Sequence, residues 1–268
     1  MLDALQDQRQ DVPRVVPRDG AGESASCRPA SWLGCLAALL LPGPCPCCGA
    51  DLPAEIVAGV CPGCWASLPL VRGRRCRRCD LPLAEGRETL CFDCGRHGRP
   101  PSWERLVAAF DYRGHLVTLH RRYKFGGAIE LSRPLARRMA LCWQARGLFA
   151  PELIVPVPPD PLRWGSRRGS ATRLGREVAR WLDVPYARWG LVKPRPSRSQ
   201  TRRPASERRR ALVGRYRARK RVVRDRDLLI VDDVATTGAT LREAARAALA
   251  AGARRVAGLV LARTPSPS

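Results

Sequence analysis

From residue 103 onward, apolar residues come in short continuous runs that alternate with stretches apolar at helical spacing. That alternation predicts an α/β domain. Residues 106–110 (Leu-Val-Ala-Ala-Phe) read as a strand, and 116–123 and 131–146 read as helices. A strand at 153–158 (Leu-Ile-Val-Pro-Val-Pro) precedes a helix over 173–182, whose Leu174, Val178, Ala179 and Leu182 share one face. A strand is predicted at 187–192 and a buried one at 228–231. A helix over 240–251, stopped at Gly252, and a strand over 255–262 close the unit. The expected architecture is a mostly parallel sheet with helices on both faces.

Upstream the periodicity disappears. Residues 1–30 mix charge, Pro and Gly, which predicts a disordered extension, or an assigned start that lies too early. Residues 32–41 form an apolar run of ten, read as a short helix. Spanning a membrane takes about 18 such residues, and the run lies too far in, behind Asp and Glu, for a signal peptide. No membrane insertion is expected, and the expected compartment is the cytoplasm. The predicted division is an extension at 1–30, a cysteine-rich module at 31–98 and the α/β domain at 103–264.

The 268 residues carry a net charge of +24, which favours polyanionic partners. Lys124, Lys193 and Lys220 are the only lysines among 48 basic residues. Such arginine bias arises from a GC-rich genome or from nucleic-acid contact, and both readings stand. Residues 193–224 hold fourteen basic residues against Glu207 alone, which predicts a mobile basic loop ending in a helical turn.

Of twelve cysteines, eight form Cys-x-x-Cys pairs: Cys45/Cys48, Cys61/Cys64, Cys76/Cys79 and Cys91/Cys94. Two intervening residues let a tight turn aim both sulfurs at one tetrahedral ion, and two such turns complete a site. Four pairs therefore predict two structural zinc sites, Cys45, Cys48, Cys61, Cys64 and Cys76, Cys79, Cys91, Cys94 in the simplest pairing. Crossed pairing is equally allowed by spacing, and Cys47 competes with Cys45. Cys27, Cys35 and Cys142 have no partners at metal spacing and read as small hydrophobes.

The chemistry of the α/β domain concentrates at 228–241. An apolar strand ends in Asp232-Asp233, and Thr236-Thr237-Gly238-Ala239-Thr240 opens the next helix. A helix N-terminus with hydroxyls cradles phosphate, whereas adjacent carboxylates suit sugar hydroxyls or a bridging metal. The two together describe a phosphorylated ribose. No Gly-Lys-Ser/Thr follows, which excludes a Walker nucleotide loop. Residues 231–240 resemble the phosphoribosyl pyrophosphate (PRPP) signature of type I phosphoribosyltransferases. That resemblance implies the type I phosphoribosyltransferase fold, with Asp232 and Asp233 on the ribose and Ala235, Thr236, Thr237, Gly238, Ala239 and Thr240 around the 5-phosphate.

The cysteine pairs joined to this signature resemble the ComF family, a phosphoribosyltransferase-like domain behind a double zinc ribbon, linked to DNA uptake. The resemblance extends over residues 32–263 through Tyr123-Lys124-Phe125-Gly126-Gly127, Val155-Pro156-Val157-Pro158, Arg167-Arg168-Gly169, and Gln200 with Arg208 to Arg210 and Gly214. It implies Mg2+ with PRPP and two structural Zn2+. It makes Lys124, Arg167 and Arg168 pyrophosphate contacts, with Arg168 joining the Asp pair as a catalytic group and Arg198, Arg202 and Arg203 arriving on the basic loop. The chain departs from the family at Ser170-Ala171-Thr172, usually Phe-Asn-Gln, and at Ala211, usually Asn; both changes remove amides that orient a ligand. Tyr112, Tyr123, Trp164 and Trp189 are the aromatic groups available to stack on a base. Three functions follow: phosphoribosyl transfer or binding in the use of imported DNA, a non-catalytic adaptor for single-stranded DNA and a DNA-uptake helicase, or a nucleotide-salvage phosphoribosyltransferase.

Overall fold

The computed structural model describes residues 44–52, 59–86, 89–96, 102–159, 169–193 and 214–265. The extension expected at 1–30 and the helix expected at 32–41 lie outside these residues. The strands are β1 (Leu106–Asp111), β2 (Leu153–Pro156), β3 (Leu191–Val192), β4 (Arg217–Ala218), β5 (Asp227–Ala235) and β6 (Arg255–Arg263). The helices are α1 (Pro62–Ala66), α2 (Phe92–Arg96), α3 (His115–Phe125), α4 (Ser132–Arg146), α5 (Ser170–Leu182), α6 (Lys220–Val223) and α7 (Ala239–Ala250). None is long and apolar enough to cross a membrane.

Four strands form one parallel sheet in the order β1-β6-β5-β2, as the strand–helix alternation predicts. Successive side chains point to opposite faces, and nearly every position is apolar and buried. Val107, Ala109, Leu229, Val231, Leu259 and Leu261 join one core cluster with Leu119, Tyr123, Met139 and Val178 of α3 to α5. Leu106, Ala108, Leu228, Ile230 and Val260 join another with Leu241, Ala244 and Ala248 of α7. Packing is close at Gly258 in β6, where a Cβ would lie 2.8 Å from Leu106 Cδ1 and force that side chain to shift.

The cysteine-rich module straddles the β1 edge. Cys45, Cys64 and Leu68 belong to the first core cluster, whereas Cys76, Cys79, Cys91 and Cys94 belong to the second. The Asp111 amide donates to the Pro69 carbonyl at 2.8 Å, and the Leu106 amide to the Arg78 carbonyl at 2.8 Å. Leu70 also bridges Phe110 in antiparallel fashion. The module thereby occupies an edge that would otherwise offer unpaired backbone groups to another chain.

Two elements differ most from expectation, the others shifting by up to three residues at their ends. The strand predicted at 187–192 shrinks to β3, which pairs antiparallel with β4 in a separate ribbon. Near its start Tyr186 makes an isolated bridge to Ile154, while Gly190 passes so close that a Cβ would lie 2.9 Å from Val155 Cγ1. Strand β5 continues beyond the predicted 228–231 through both carboxylates, because β6 pairs with it as far as Ala235↔Arg263. Residues 194–213 of the basic loop lie outside the described residues, and the segment does end in a helical turn, α6.

At the opposite end of the sheet, Asp227 accepts hydrogen bonds from Arg254 Nε at 2.7 Å and from Arg255. Its pairing with Arg255 and then Arg254 lowers its pKa to about 2. A depressed carboxylate stabilises the fold above its unfolded value of about 3.9, and that contribution is lost as pH falls through the folded value. Asp227→Asn is therefore expected to cost on the order of 1–2 kcal/mol at pH 7, discounted for its half-exposed arginine partners. The cost should shrink toward zero near pH 2; urea unfolding at both pH values measures it, and an equal cost at both would contradict the assignment.

Candidate functional site

The connections leaving the neighbouring strands β2 and β5 run to opposite faces, α5 to one and α7 to the other. This opens a crevice at the carboxyl ends of those strands, where open α/β sheets bind ligands. Both helices begin there behind a glycine at positive φ, Gly169 at 25° and Gly238 at 72°. Neither has a side-chain N-cap, so first-turn amides remain to meet an anion. Within the 236–240 loop the Thr237 hydroxyl accepts from the Ala239 amide at 3.3 Å. Thr236 and Thr237 are exposed and Thr240 is half-buried.

Below the loop, Asp232 and Asp233 are 9% and 7% exposed. Asp233 Oδ2 is a meeting point. It accepts from Lys124 Nζ at 2.5 Å and from Ser170 Oγ at 2.5 Å, and lies 3.3 Å from His120 Nε2. His120 Nδ1 is 3.2 Å from the Tyr112 hydroxyl. Burial pushes the Asp233 carboxyl up, but the hydrogen bond from His120 and the Lys124 charge outweigh it and hold the group ionised. Among the described residues no cation hydrogen-bonds to Asp232; burial and the neighbouring Asp233 charge push its pKa up to about 8. Burial and mutual repulsion thus oppose full ionisation of the pair, and a cation or a set of hydroxyl donors arriving at Asp232 would offset them.

Asp232, Asp233 and residues 235–240 therefore lie together at one crevice, with Lys124 brought in from α3. Arg167 and Arg168, and the loop residues Arg198, Arg202 and Arg203, lie outside the described residues. His120 and Ser170 carry no signature of their own. His120 precedes Lys124 by one helical turn and so shares its face, which is the signal that locates it. Ser170 marks a departure from the family sequence that removes a bulky side chain and supplies a hydroxyl to Asp233. Tyr123 is fully buried and donates to the Ser170 carbonyl at 3.0 Å, so it braces α5 against α3 and does not stack on a base. Tyr112 is engaged with His120, Trp164 lies outside the described residues, and Trp189 is exposed with the Arg188 guanidinium 4.7 Å from its ring centroid.

The cysteines settle into two clusters, Cys45, Cys48, Cys61, Cys64 and Cys76, Cys79, Cys91, Cys94, each with ligand atoms within 4.8 Å of one another. This selects the simple pairing over the crossed one and leaves Cys47 outside. The Cys48–Cys61 and Cys79–Cys91 sulfurs are 3.7 and 3.5 Å apart, matching the ~3.8 Å edge of a tetrahedron with ~2.3 Å zinc–sulfur bonds. Four thiolates, with no fourth position left for water, make both sites structural. Cys142 is buried in the core and joins neither cluster.

Residues 167–267 match the family described as a phosphoribosyl transferase domain, and residues 36–95 match that described as a double zinc ribbon domain. The DNA utilization protein YhgH of Escherichia coli K12 is 32% identical over 195 residues, covering 70% of this chain and 84% of that protein. Competence protein F of Haemophilus influenzae is 31% identical over 160 residues, covering 57% and 69%. Among solved structures, the allosteric regulatory enzyme of purine biosynthesis aligns with a TM-score of 0.35 at 22% identity, over 48% of this chain and 25% of that one. With a phosphoribosyl transferase domain, a double zinc ribbon of the right cluster pairing and relatives matched over most of their length, this chain belongs to the ComF family.

Proposed function

We propose that the protein binds PRPP with Mg2+ in the crevice between β2 and β5 and serves the use of imported DNA. The observation that carries this reading is the conjunction of a helix N-terminus whose N-cap is Gly238 with two buried carboxylates beneath it. The amides of that turn and the hydroxyls of Thr236, Thr237 and Thr240 take the 5-phosphate. Asp232 and Asp233 accept from the ribose hydroxyls. Their hard oxygen donors also fit Mg2+, which supplies charge neutralisation to the pyrophosphate. Lys124 neutralises Asp233 until ribose hydroxyls replace it, and is then placed to face the departing pyrophosphate with Arg167 and Arg168. Transfer from PRPP asks mainly for positioning and charge, so the site requires no general base. The names of the two relatives, DNA utilization and competence, support linking this binding to DNA handling.

Calorimetric titration of the zinc-loaded protein with PRPP and Mg2+ tests the reading. Micromolar affinity supports it, and absence of binding at millimolar PRPP would sink it. Pyrophosphate release on adding candidate acceptors then distinguishes an enzyme from a binder.

The fourteen basic residues at 193–224 favour a second reading, in which the protein is an adaptor for single-stranded DNA or a helicase. If the arginines neutralise several phosphates, affinity for an oligonucleotide should fall at least tenfold between 50 and 200 mM salt, an estimate of about that order. Flat salt dependence in fluorescence anisotropy would remove nucleic-acid contact from their role.

A further inference from the structure

Arg263, the last residue of β6, is 4% exposed. Its Nε donates to the Cys79 carbonyl at 3.1 Å, and its Nη1 donates to the carbonyls of Ala235, at 2.9 Å, and Thr236. One guanidinium therefore joins the second cysteine cluster to the entrance of the phosphate loop. Among the described residues no carboxylate pairs with it. Three backbone carbonyls accept from it, and a nearby negative charge would stabilise so buried a guanidinium further. Four thiolates around a divalent ion carry about −2 in net charge, and they lie directly behind Cys79. A phosphate bound at the 236–240 loop would add a second negative charge near the guanidinium.

Trp103 makes a second, parallel connection. Its Nε1 donates to the Arg78 carbonyl at 3.0 Å, and a Cβ on Gly238 would lie 3.3 Å from its Cη2. The Arg242 guanidinium, from the first turn of α7, sits 5.6 Å from its ring centroid. Adjacent carbonyls of one metal knuckle, Arg78 and Cys79, thus hold the two side chains that contact the two ends of the loop. Metal coordination at Cys76 and Cys79 fixes the direction of those carbonyls.

We propose that Arg263 and Trp103 are positioning residues that couple the second zinc site to the phosphate loop, so that metal in one strengthens phosphate binding by the other. The first zinc site, on the opposite face of the sheet, takes no part. The inference rests on the phosphoribosyl reading for its ligand but not for its mechanical half. Coupling of this kind is reciprocal.

The test uses the full zinc-loaded chain. Zinc transfer to a colorimetric chelator is followed with and without PRPP and Mg2+, in wild type, in Cys61→Ser/Cys64→Ser, which retains only the second site, and in Trp103→Phe, which loses the hydrogen bond to Arg78 and the outer ring atoms that face Gly238. PRPP is expected to reduce zinc transfer from the second site at chelator equilibrium about 5- to 150-fold, the usual range of such coupling. The protection should persist in the Cys61/Cys64 variant and fall severalfold in Trp103→Phe. Equal protection of both zincs, or undiminished protection in Trp103→Phe, would overturn the proposal. Hydrogen exchange of a peptide spanning 235–241, measured without PRPP, isolates the mechanical half. In the zinc-loaded protein, Trp103→Phe should speed exchange there at least about tenfold more than at β2, by the logic of local opening. Unchanged relative exchange would overturn the coupling even if PRPP binds, whereas accelerated exchange without PRPP binding would overturn only the phosphoribosyl reading.

Discussion

Cys76→Ser with Cys79→Ser is expected to leave the protein largely insoluble, with the residual soluble fraction short of one zinc. All four cysteines of that cluster are buried, whereas Cys48 of the first cluster is exposed and Cys61 half-buried. Its knuckle carries the Arg78 carbonyl, which accepts from both Leu106 and Trp103, and the Cys79 carbonyl, which accepts from Arg263. The next residue, Asp80, accepts from the Ala108 amide at 2.7 Å and from Arg146 at 3.0 Å. Metal loss therefore removes support from β1, α4 and β6 together and uncovers a sheet edge. Structural zinc contributes on the order of 10 kcal/mol to small metal domains, as much as a typical domain's entire stability of roughly 5–15 kcal/mol. Cys61→Ser with Cys64→Ser should be milder: one zinc lost, a melting point lower by several degrees, and soluble protein. Metal analysis and thermal unfolding of both variants decide the matter, and wild-type solubility of the Cys76/Cys79 variant would show that the ribbon is an appendage.

Asp232→Asn with Asp233→Asn is expected to weaken Mg2+–PRPP binding at least about 100-fold, near 2.7 kcal/mol, while zinc content and fold persist. Hydrogen bonds to charged groups contribute about 1.5–3 kcal/mol each, and both carboxylates are assigned to ribose hydroxyls, so the estimate is conservative. The two single variants should differ. Asp232→Asn relieves repulsion between two buried carboxylates and is expected to be neutral or stabilising. Asp233→Asn removes the anion facing Lys124, His120 and Ser170, and should cost stability by stranding a half-buried ammonium. Lys124→Met is the matching control: it should restore part of the stability lost in Asp233→Asn, a coupling that a double-mutant cycle reads directly. Unaltered PRPP affinity in the double Asn variant would place the ribose elsewhere.

Much of this was legible along the chain because it depends on near neighbours. Helical spacing identified α3, α4, α5 and α7, continuous apolar runs identified β1, β2, β5 and β6, and Cys-x-x-Cys spacing identified four metal knuckles. The run from Val231 to Thr240 placed carboxylates at a strand end and hydroxyls at a helix start, a local statement that survives folding intact. Partnership between distant residues was not legible. Lys124 finds Asp233 across 109 residues, His120 finds it across 113, and Arg263 finds Cys79 across 184. With 48 basic residues and 24 acidic ones, no spacing rule selects the one that will be buried opposite another. Knuckle pairing, the face each zinc site covers, the shortening of the strand at 187–192 and the fully buried arginine behind the phosphate loop were decided only by tertiary packing. There each contact depends on which backbone groups the sheet has already paired and which charges it has already taken out of water.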